Sequence, residues 1–244
     1  MPTAKSSSNL FWHFIALSIF MYPMTLSIIY ISILAISFLC SLVSFRLHRQ
    51  IHLKLFSVLL GIALITEVIA NYFLSTFHLK SNWPVYNVYI LLQGCIYAFY
   101  FRIVMPTKTM KKATSIFIFL FFIFWLLTTF LQFGLREWNS YVFIVCDLFI
   151  IIMSAIYLYK IFTSEELIRL RICPEFWIAV GSVIYFSCDL PITGMMNFTS
   201  QDNDNGLLLR EVLQYLNIIM YAIFIYAYLC LIIKTRTTKS HLQQ

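Results

Sequence analysis

The sequence predicts an all-α fold, a polytopic seven-transmembrane-helix bundle with its N-terminus outside and its C-terminus inside. Three observations carry this: an extreme apolar composition, seven apolar runs of membrane-crossing length, and basic residues that alternate between one side and the other. Residues of the AVILMFWYC set make up 61% of the 244 residues, charged residues only 11%, and mean hydropathy is +0.85. An ordinary soluble domain has about 45–50% apolar and about 25% charged residues. A soluble fold of this length could not hide so much apolar side chain, which excludes a soluble enzyme, a nucleic-acid module and a disordered tail.

A hydrocarbon core of about 30 Å takes about 20 helical residues, and open strands leave backbone polar groups unpaired in lipid. The runs fall at 24–45, 55–74, 85–105, 114–134, 141–161, 175–193 and 212–233. The first is complicated by what precedes it, because Leu10 to Phe45 is nearly all apolar, too long for one crossing and too short for two. Phe11, Trp12, Phe14 and Tyr22 read as an interfacial segment, since aromatic rings favour the headgroup level, and Pro23 favours a break. A signal peptide with Lys5 in its n-region is the rival, but the bulky residues at 19–23 offer no A-x-A-like cleavage site. Residues 1–23 are thus read as an N-terminal tail and interfacial segment, 24–233 as the membrane domain and 234–244 as a basic cytoplasmic tail. The second span carries Glu67 and Asn71, the third Gln93. The fourth contains IFIFLFFIFWLL at 116–127, with none of the alternation a barrel strand needs, and no charged or amide side chain before Gln132. It is expected to be peripheral or lipid-facing, dividing the spans 3+1+3. The fifth carries Asp147, the sixth ends with Asp189 and the seventh has Gln214 and Asn217. Spans three and seven align at an offset of 124, where Gln93 meets Asn217 and Tyr97 meets Tyr221, and a parallel duplication would account for this.

Short loops rich in Lys and Arg stay in the cytoplasm. Arg46, Arg49, Lys54, Arg102, Lys108, Lys111, Lys112, Lys160, Arg169, Arg171, Lys234, Arg236 and Lys239 place thirteen on one side, against Lys5, Lys80, Arg136 and Arg210 on the other. The net charge of +7 is then mostly positive-inside bias, and no nucleic-acid partner is needed to explain it. Cys40, Cys95, Cys146, Cys188 and Cys230 lie within spans and Cys173 in a cytoplasmic loop, so none is placed as a disulfide would be. No Cys/His spacing suggests a metal, and no cofactor is expected. Asn197-Phe198-Thr199 matches the glycosylation pattern in an expected outer loop.

The informative residues are polar groups inside the spans, where ionisable side chains are costly and usually functional. With this topology Glu67, Asn71, Gln93, Asp147, Asp189, Gln214 and Asn217 all fall in the outer half of the membrane. Tyr86, Gln93, Tyr97 and Tyr100 share one face of span three, and Gln214, Asn217, Tyr221 and Tyr228 one face of span seven. These stripes could line an outward-facing pocket, with Glu67, Asn71, Gln93, Tyr97, Asp147, Asp189, Gln214, Asn217 and Tyr221 as ligand-binding candidates. The bland alternative is interhelical hydrogen bonding alone, worth under about 1–2 kcal/mol each. Arg210 is the only evident partner for Asp189. Glu67 and Asp147 have no internal counter-charge in the sequence, so they are protonated and structural, or a cationic small ligand, Na⁺ or a proton completes the site.

Span seven contains no lysine for retinal, and Phe101-Arg102-Ile103 and Asn217-Ile218-Ile219-Met220-Tyr221 depart from the motifs of rhodopsin-like receptors. Spans three and seven lack the prolines of small sugar exporters. Glu165-Glu166 with Arg169 misses prenyl-protein protease spacing by one residue. The stretch Ser81-Asn82-Trp83-Pro84 to Asn87-Val88-Tyr89, and Phe176-Trp177-Ile178 with Val183-Ile184-Tyr185-Phe186-Ser187, resemble uncharacterised bacterial seven-helix proteins and the membrane sensor halves of some histidine kinases. The likeness covers about residues 55–233. It implies a multi-pass protein of a bacterial inner membrane and no catalytic or ligand-binding residue.

Three function classes follow. A sensor or receptor-like module would pass its output through the basic inner loops to a cytoplasmic or membrane signalling partner. A small solute or ion transporter would need a polar path to the inside, where the inner halves of spans three, five and seven offer only tyrosines such as Tyr100, Tyr157 and Tyr228. An intramembrane, lipid-active hydrolase would need a nucleophile and base, and no His falls within the expected spans two to seven. A carboxylate pair such as Glu67 with Asp147 could in principle activate water. The expectation is a non-enzymatic sensor embedded in the lipid bilayer, its oligomeric state open.

Overall fold

A computed structural model describes the backbone at residues 6–47, 50–76, 82–134, 137–163, 170–199 and 203–241. Arg49, Lys80, Arg136, Glu165, Glu166 and Arg169 lie outside the described residues, as do the side chains of 1–24 and of Arg46, Arg171, Asn197 and 233–244. Seven helices follow one another: α1 Ser6–Leu47, α2 Ile51–Thr76, α3 Trp83–Val104, α4 Lys108–Leu127, α5 Ser140–Thr163, α6 Pro174–Thr199 and α7 Asn203–His241. A wide π turn, Thr128–Phe133, extends α4, and a single 3-10 turn, Leu170–Ile172, precedes α6. Each helix holds a stretch long and apolar enough to cross a membrane, at Thr25–Phe45, Ile51–Asn71, Trp83–Val104, Lys108–Leu131, Ser140–Thr163, Pro174–Met195 and Leu208–Ile232. Large apolar side chains such as Ile36, Leu39, Ile65, Phe119, Leu131 and Ile152 face outward, as lipid requires.

Two expectations from the sequence are corrected. Helix α1 continues through Pro23. The proline removes one backbone bond but sits where a long apolar helix has no competing turn, and membrane helices tolerate such losses. The backbone of Asn197-Phe198-Thr199 closes α6 and is not in a loop.

Punctuation of the chain is local. Pro84 sits in the first turn of α3, where its missing N–H has no intrahelical partner to lose. Pro106 bars α3 from running into α4, and Met105 is extended (ψ 131°) with its N–H returning to Phe101 O at 2.9 Å. Gly134 ends the π turn with φ +69°, a left-handed conformation that glycine adopts without steric cost.

The helices close into a ring: α1 packs on α2 and α7, α2 on α3, α3 on α5, α5 on α6 and α6 on α7. Helix α4 stands outside it, mainly against α3, as its missing polar face predicts. Gly94 permits the approach, because a Cβ there would lie 2.5 Å from the Phe121 ring. Trp125 Nε1 donates to Asn87 O (2.7 Å), Asn87 Nδ2 to Glu137 O (2.8 Å) and Asn139 Nδ2 to Thr128 Oγ1 (2.8 Å). These bonds pin α4 and the α4–α5 connection to α3, leaving the ring interior free of α4.

Candidate functional site

Inside the ring lies a cavity of about 400 Å³. All nine candidates from the sequence, Glu67, Asn71, Gln93, Tyr97, Asp147, Asp189, Gln214, Asn217 and Tyr221, are on its wall. Helices α2, α3, α5, α6 and α7 supply them, and no residue of α4 takes part. The rim is formed by Asn71, Asn82, Trp83 and Arg210, at the end of the bundle that the basic residues assign to the outside. The shared depth read from the sequence thus corresponds to a shared space, because polar side chains on neighbouring membrane helices turn inward, away from lipid.

Three carboxyl groups in the cavity have different surroundings. Glu67 accepts hydrogen bonds from Tyr30 (2.9 Å to Oε1) and from Tyr86 (3.1 Å to Oε1, 3.2 Å to Oε2), which tie α1 and α3 to α2. Both its oxygens are met by donors. Asp147 and Asp189, on α5 and α6, stand within electrostatic and hydrogen-bonding reach of one another. Asp189 Oδ1 also accepts from Thr193 Oγ1, one turn on, at 3.2 Å. Asp147 is fully buried, and apart from the carboxyl of Asp189 neither of its oxygens has a donor within reach among the described residues. Two carboxyl groups can hydrogen-bond each other only if one carries a proton.

Positive charge is scarce. Arg210 is exposed, and its electrostatic influence falls on Tyr86. No ion pair joins it to Asp189 among the described residues. This corrects the pairing expected from sequence: closeness along the chain does not direct a long rim side chain inward, where its guanidinium would lose water. The amides serve packing and rim. Gln214 Nε2 donates to Ser27 Oγ (2.9 Å), Asn71 Nδ2 to Glu67 O (2.8 Å) and Asn217 Nδ2 to Leu213 O (2.9 Å).

The floor is aromatic. Phe56 meets Tyr97 and Phe224 edge-on, with ring centroids at 5.5 and 4.9 Å, and Tyr97 meets Phe186 in the same way at 5.5 Å. All four are buried, and Tyr97 is fixed by a 3.0 Å bond between its hydroxyl and Ser182 Oγ. Tyr100 and Tyr228, which share the predicted stripes, lie below this floor in the core and do not line the cavity. At the inner end a His52 ring nitrogen bonds Glu175 Oε1 at 2.8 Å, and Cys173 Sγ donates to Glu175 Oε2 at 3.2 Å. The sequence reading left His52 outside the spans. The helix begins at Ile51, a turn before the apolar run, so His52 is half-buried within the crossing stretch.

Sequence reasoning missed Tyr30, Ser27, Tyr89, Trp138, Tyr185 and Thr193 as cavity residues. For Tyr185 and Thr193 a signal existed, since they flank Asp189 at i−4 and i+4 on one helix face. Tyr30 carried none, because the first span holds no carboxyl, amide or basic side chain to mark a polar face. Searches against family models, curated proteins and solved structures find no match to this chain.

Proposed function

We propose that this integral membrane protein is a sensor or receptor-like module whose cavity admits a small ligand from outside and whose output passes through the inner loops to a partner. The supporting observation is that the cavity is blind. The interlocked rings of Phe56, Tyr97, Phe186 and Phe224 close it toward the inside. At the inner end a separate space of about 10 Å³ is lined by Ser57 and Tyr228 among others. A blind cavity of this size, largely apolar with a few polar groups set into its wall, suits a bound small molecule. The residues that carry the likeness to histidine-kinase sensor halves contribute to it, with Asn82 and Trp83 at the rim and Tyr89, Tyr185 and Phe186 in the wall. This reading assigns the chain no reaction of its own.

A solute or ion permease is the second reading, favoured by the hydroxyl pairs Tyr97–Ser182 and Ser57–Tyr228 (3.4 Å) that continue below the floor. One experiment separates the two. In a background freed of native cysteines, Thr66→Cys on the cavity wall and Thr107→Cys at the inner end are labelled in proteoliposomes during a screen of small solutes. The sensor reading expects a solute that protects Cys at 66, alters labelling at 107 and does not accumulate inside the vesicles. Accumulation that follows the same concentration dependence as protection overturns it in favour of transport.

A further inference from the structure

The cavity wall is unevenly satisfied, and the unevenness points to a ligand class. Glu67 is already answered by two tyrosine hydroxyls. Across the cavity, Asp147 offers two buried oxygens that no hydroxyl, amide or cation meets among the described residues, beside Asp189, which accepts from a threonine hydroxyl. A buried acceptor without a donor costs about 1–3 kcal/mol, more if charged, and native structures rarely leave one so without a reason. The surroundings of the pair are aromatic or neutral. The Tyr185 hydroxyl lies within electrostatic reach of both aspartates and of Tyr89, and Cys146 is adjacent. Phe143 and Trp138, stacked at 4.1 Å, complete that wall.

We infer that the Asp147–Asp189 pair is the seat of an organic monocation, an amine or quaternary ammonium small molecule whose positive head answers the acidic pair, an amine by donating and a quaternary ammonium by charge alone. The inference rests on the reading of the cavity as a ligand site and names what that site recognises. With one proton shared between its two carboxyl groups the pair keeps a single negative charge as counter-charge, and tyrosine, tryptophan and phenylalanine faces attract ammonium groups, with about 2 kcal/mol or more available when the cation is desolvated. A bare metal ion fits less well. Calcium takes six to eight oxygens and magnesium near-octahedral oxygen coordination, and no group of three or more His, Cys, Asp or Glu is disposed to hold a metal among the described residues. The cavity is also far larger than one ion, whereas an ammonium with an organic body would occupy both the acidic wall and the aromatic one.

The test uses the purified full chain in nanodiscs, with tetramethylammonium and choline chlorides as probes and sodium chloride at matched ionic strength as reference. Thermal unfolding is followed by tryptophan fluorescence. At ten times its dissociation constant an organic cation should raise the wild-type midpoint by about 3–6 °C above the sodium reference. Asp147→Asn and Asp189→Asn should abolish the rise. Ser154→Ala, two turns along α5 and outside the cavity, should keep it. Because an aspartate variant could fail to fold, a second measurement leaves both carboxyl groups in place. Thr193→Cys, in a background without native cysteines, is labelled with a trimethylammonium thiosulfonate and with a sulfonate analogue. The cationic-to-anionic rate ratio should exceed that for free mercaptoethanol at least tenfold, and tetramethylammonium should slow the cationic reagent. A ratio equal to that of the free thiol, or a sodium response as large as the ammonium response, overturns the inference. If sugars or organic anions stabilise the protein while ammonium ions do not, the inference falls and the ligand-site reading stands. If external reagents cannot reach Cys at 66, both fall.

Discussion

Removing the two tyrosine hydroxyls that meet Glu67 should have unequal consequences, and the inequality follows from which oxygen each one covers. Tyr30 reaches only Oε1, at 2.9 Å, whereas Tyr86 spans Oε1 and Oε2 at 3.1 and 3.2 Å. Tyr30→Phe leaves the single Tyr86 proton shared between both oxygens, so the loss is that of one interhelical bond, about 0.6–1 kcal/mol in a membrane protein. Tyr86→Phe strands Oε2, and the cost rises toward the penalty for an unsatisfied buried acceptor, about 2 kcal/mol. The variant with the longer contacts should therefore be the less stable one. SDS titration in mixed micelles, read by tryptophan fluorescence, measures both, and at about 2–4 °C per kcal/mol the difference is also visible in thermal midpoints. Repeating the pair in a Glu67→Met background isolates the hydroxyl–carboxyl coupling, because there neither tyrosine has an acceptor to lose. Equal losses for the two phenylalanine variants, or losses undiminished beside Met, would refute the account of Glu67 as a fully satisfied structural acid.

Three further outcomes are expected. Single cysteines at Gln50 and Thr107 should resist an impermeant thiol reagent in intact cells, and those at Asn82 and Glu137 should react; the reverse pattern would turn the cavity mouth toward the cytoplasm. Gly94→Ala should destabilise the bundle by about 1–3 kcal/mol, because the new Cβ meets Phe121 at 2.5 Å and Cys146 Sγ at 3.2 Å, whereas Gly194→Ala, with nothing within 4 Å, should gain up to about 1 kcal/mol of helix propensity in the same titration. His52→Ala and Glu175→Gln should each cost about 1–2 kcal/mol and the double variant little more than either, a non-additivity that identifies the inner contact as one interaction linking α2 to α6.

The crossings were legible because lipid leaves the chain few choices. A run of about 20 apolar residues must be helix, and a carboxyl or amide within it must turn toward other protein. Depth along each helix then placed Glu67, Gln93, Asp147, Asp189 and Asn217 at one level without knowledge of which helices touch. Azimuth between helices was not legible. Nothing in the residues around Asp189 says that α5 presents Asp147 to it, and the nearest cation along the chain, Arg210, was the natural but mistaken partner. Tyr30 was invisible for a related reason, since a tyrosine near the membrane surface is explained by the interface alone until α2 is seen beside it. The helix ends failed most simply. Basic residues at 46–54 read as loop, yet the backbone coils one turn beyond its apolar run, and that turn carries His52.

The packing of α1 against α7 sets an order of events during synthesis. Gln214 donates to Ser27 across 187 positions of sequence, and the rings of Tyr30 and Tyr221 lie 6.1 Å apart. Helix α1 therefore keeps its inward face unmatched until α7 has joined the bundle. Until then the acidic interior is an open trough and not an enclosed space, because the wall contributed by Leu213, Gln214, Asn217 and Tyr221 is missing. The cavity therefore comes into being with the docking of α7 against α1 and α6, after Glu67, Asp147 and Asp189 are already in place along the chain.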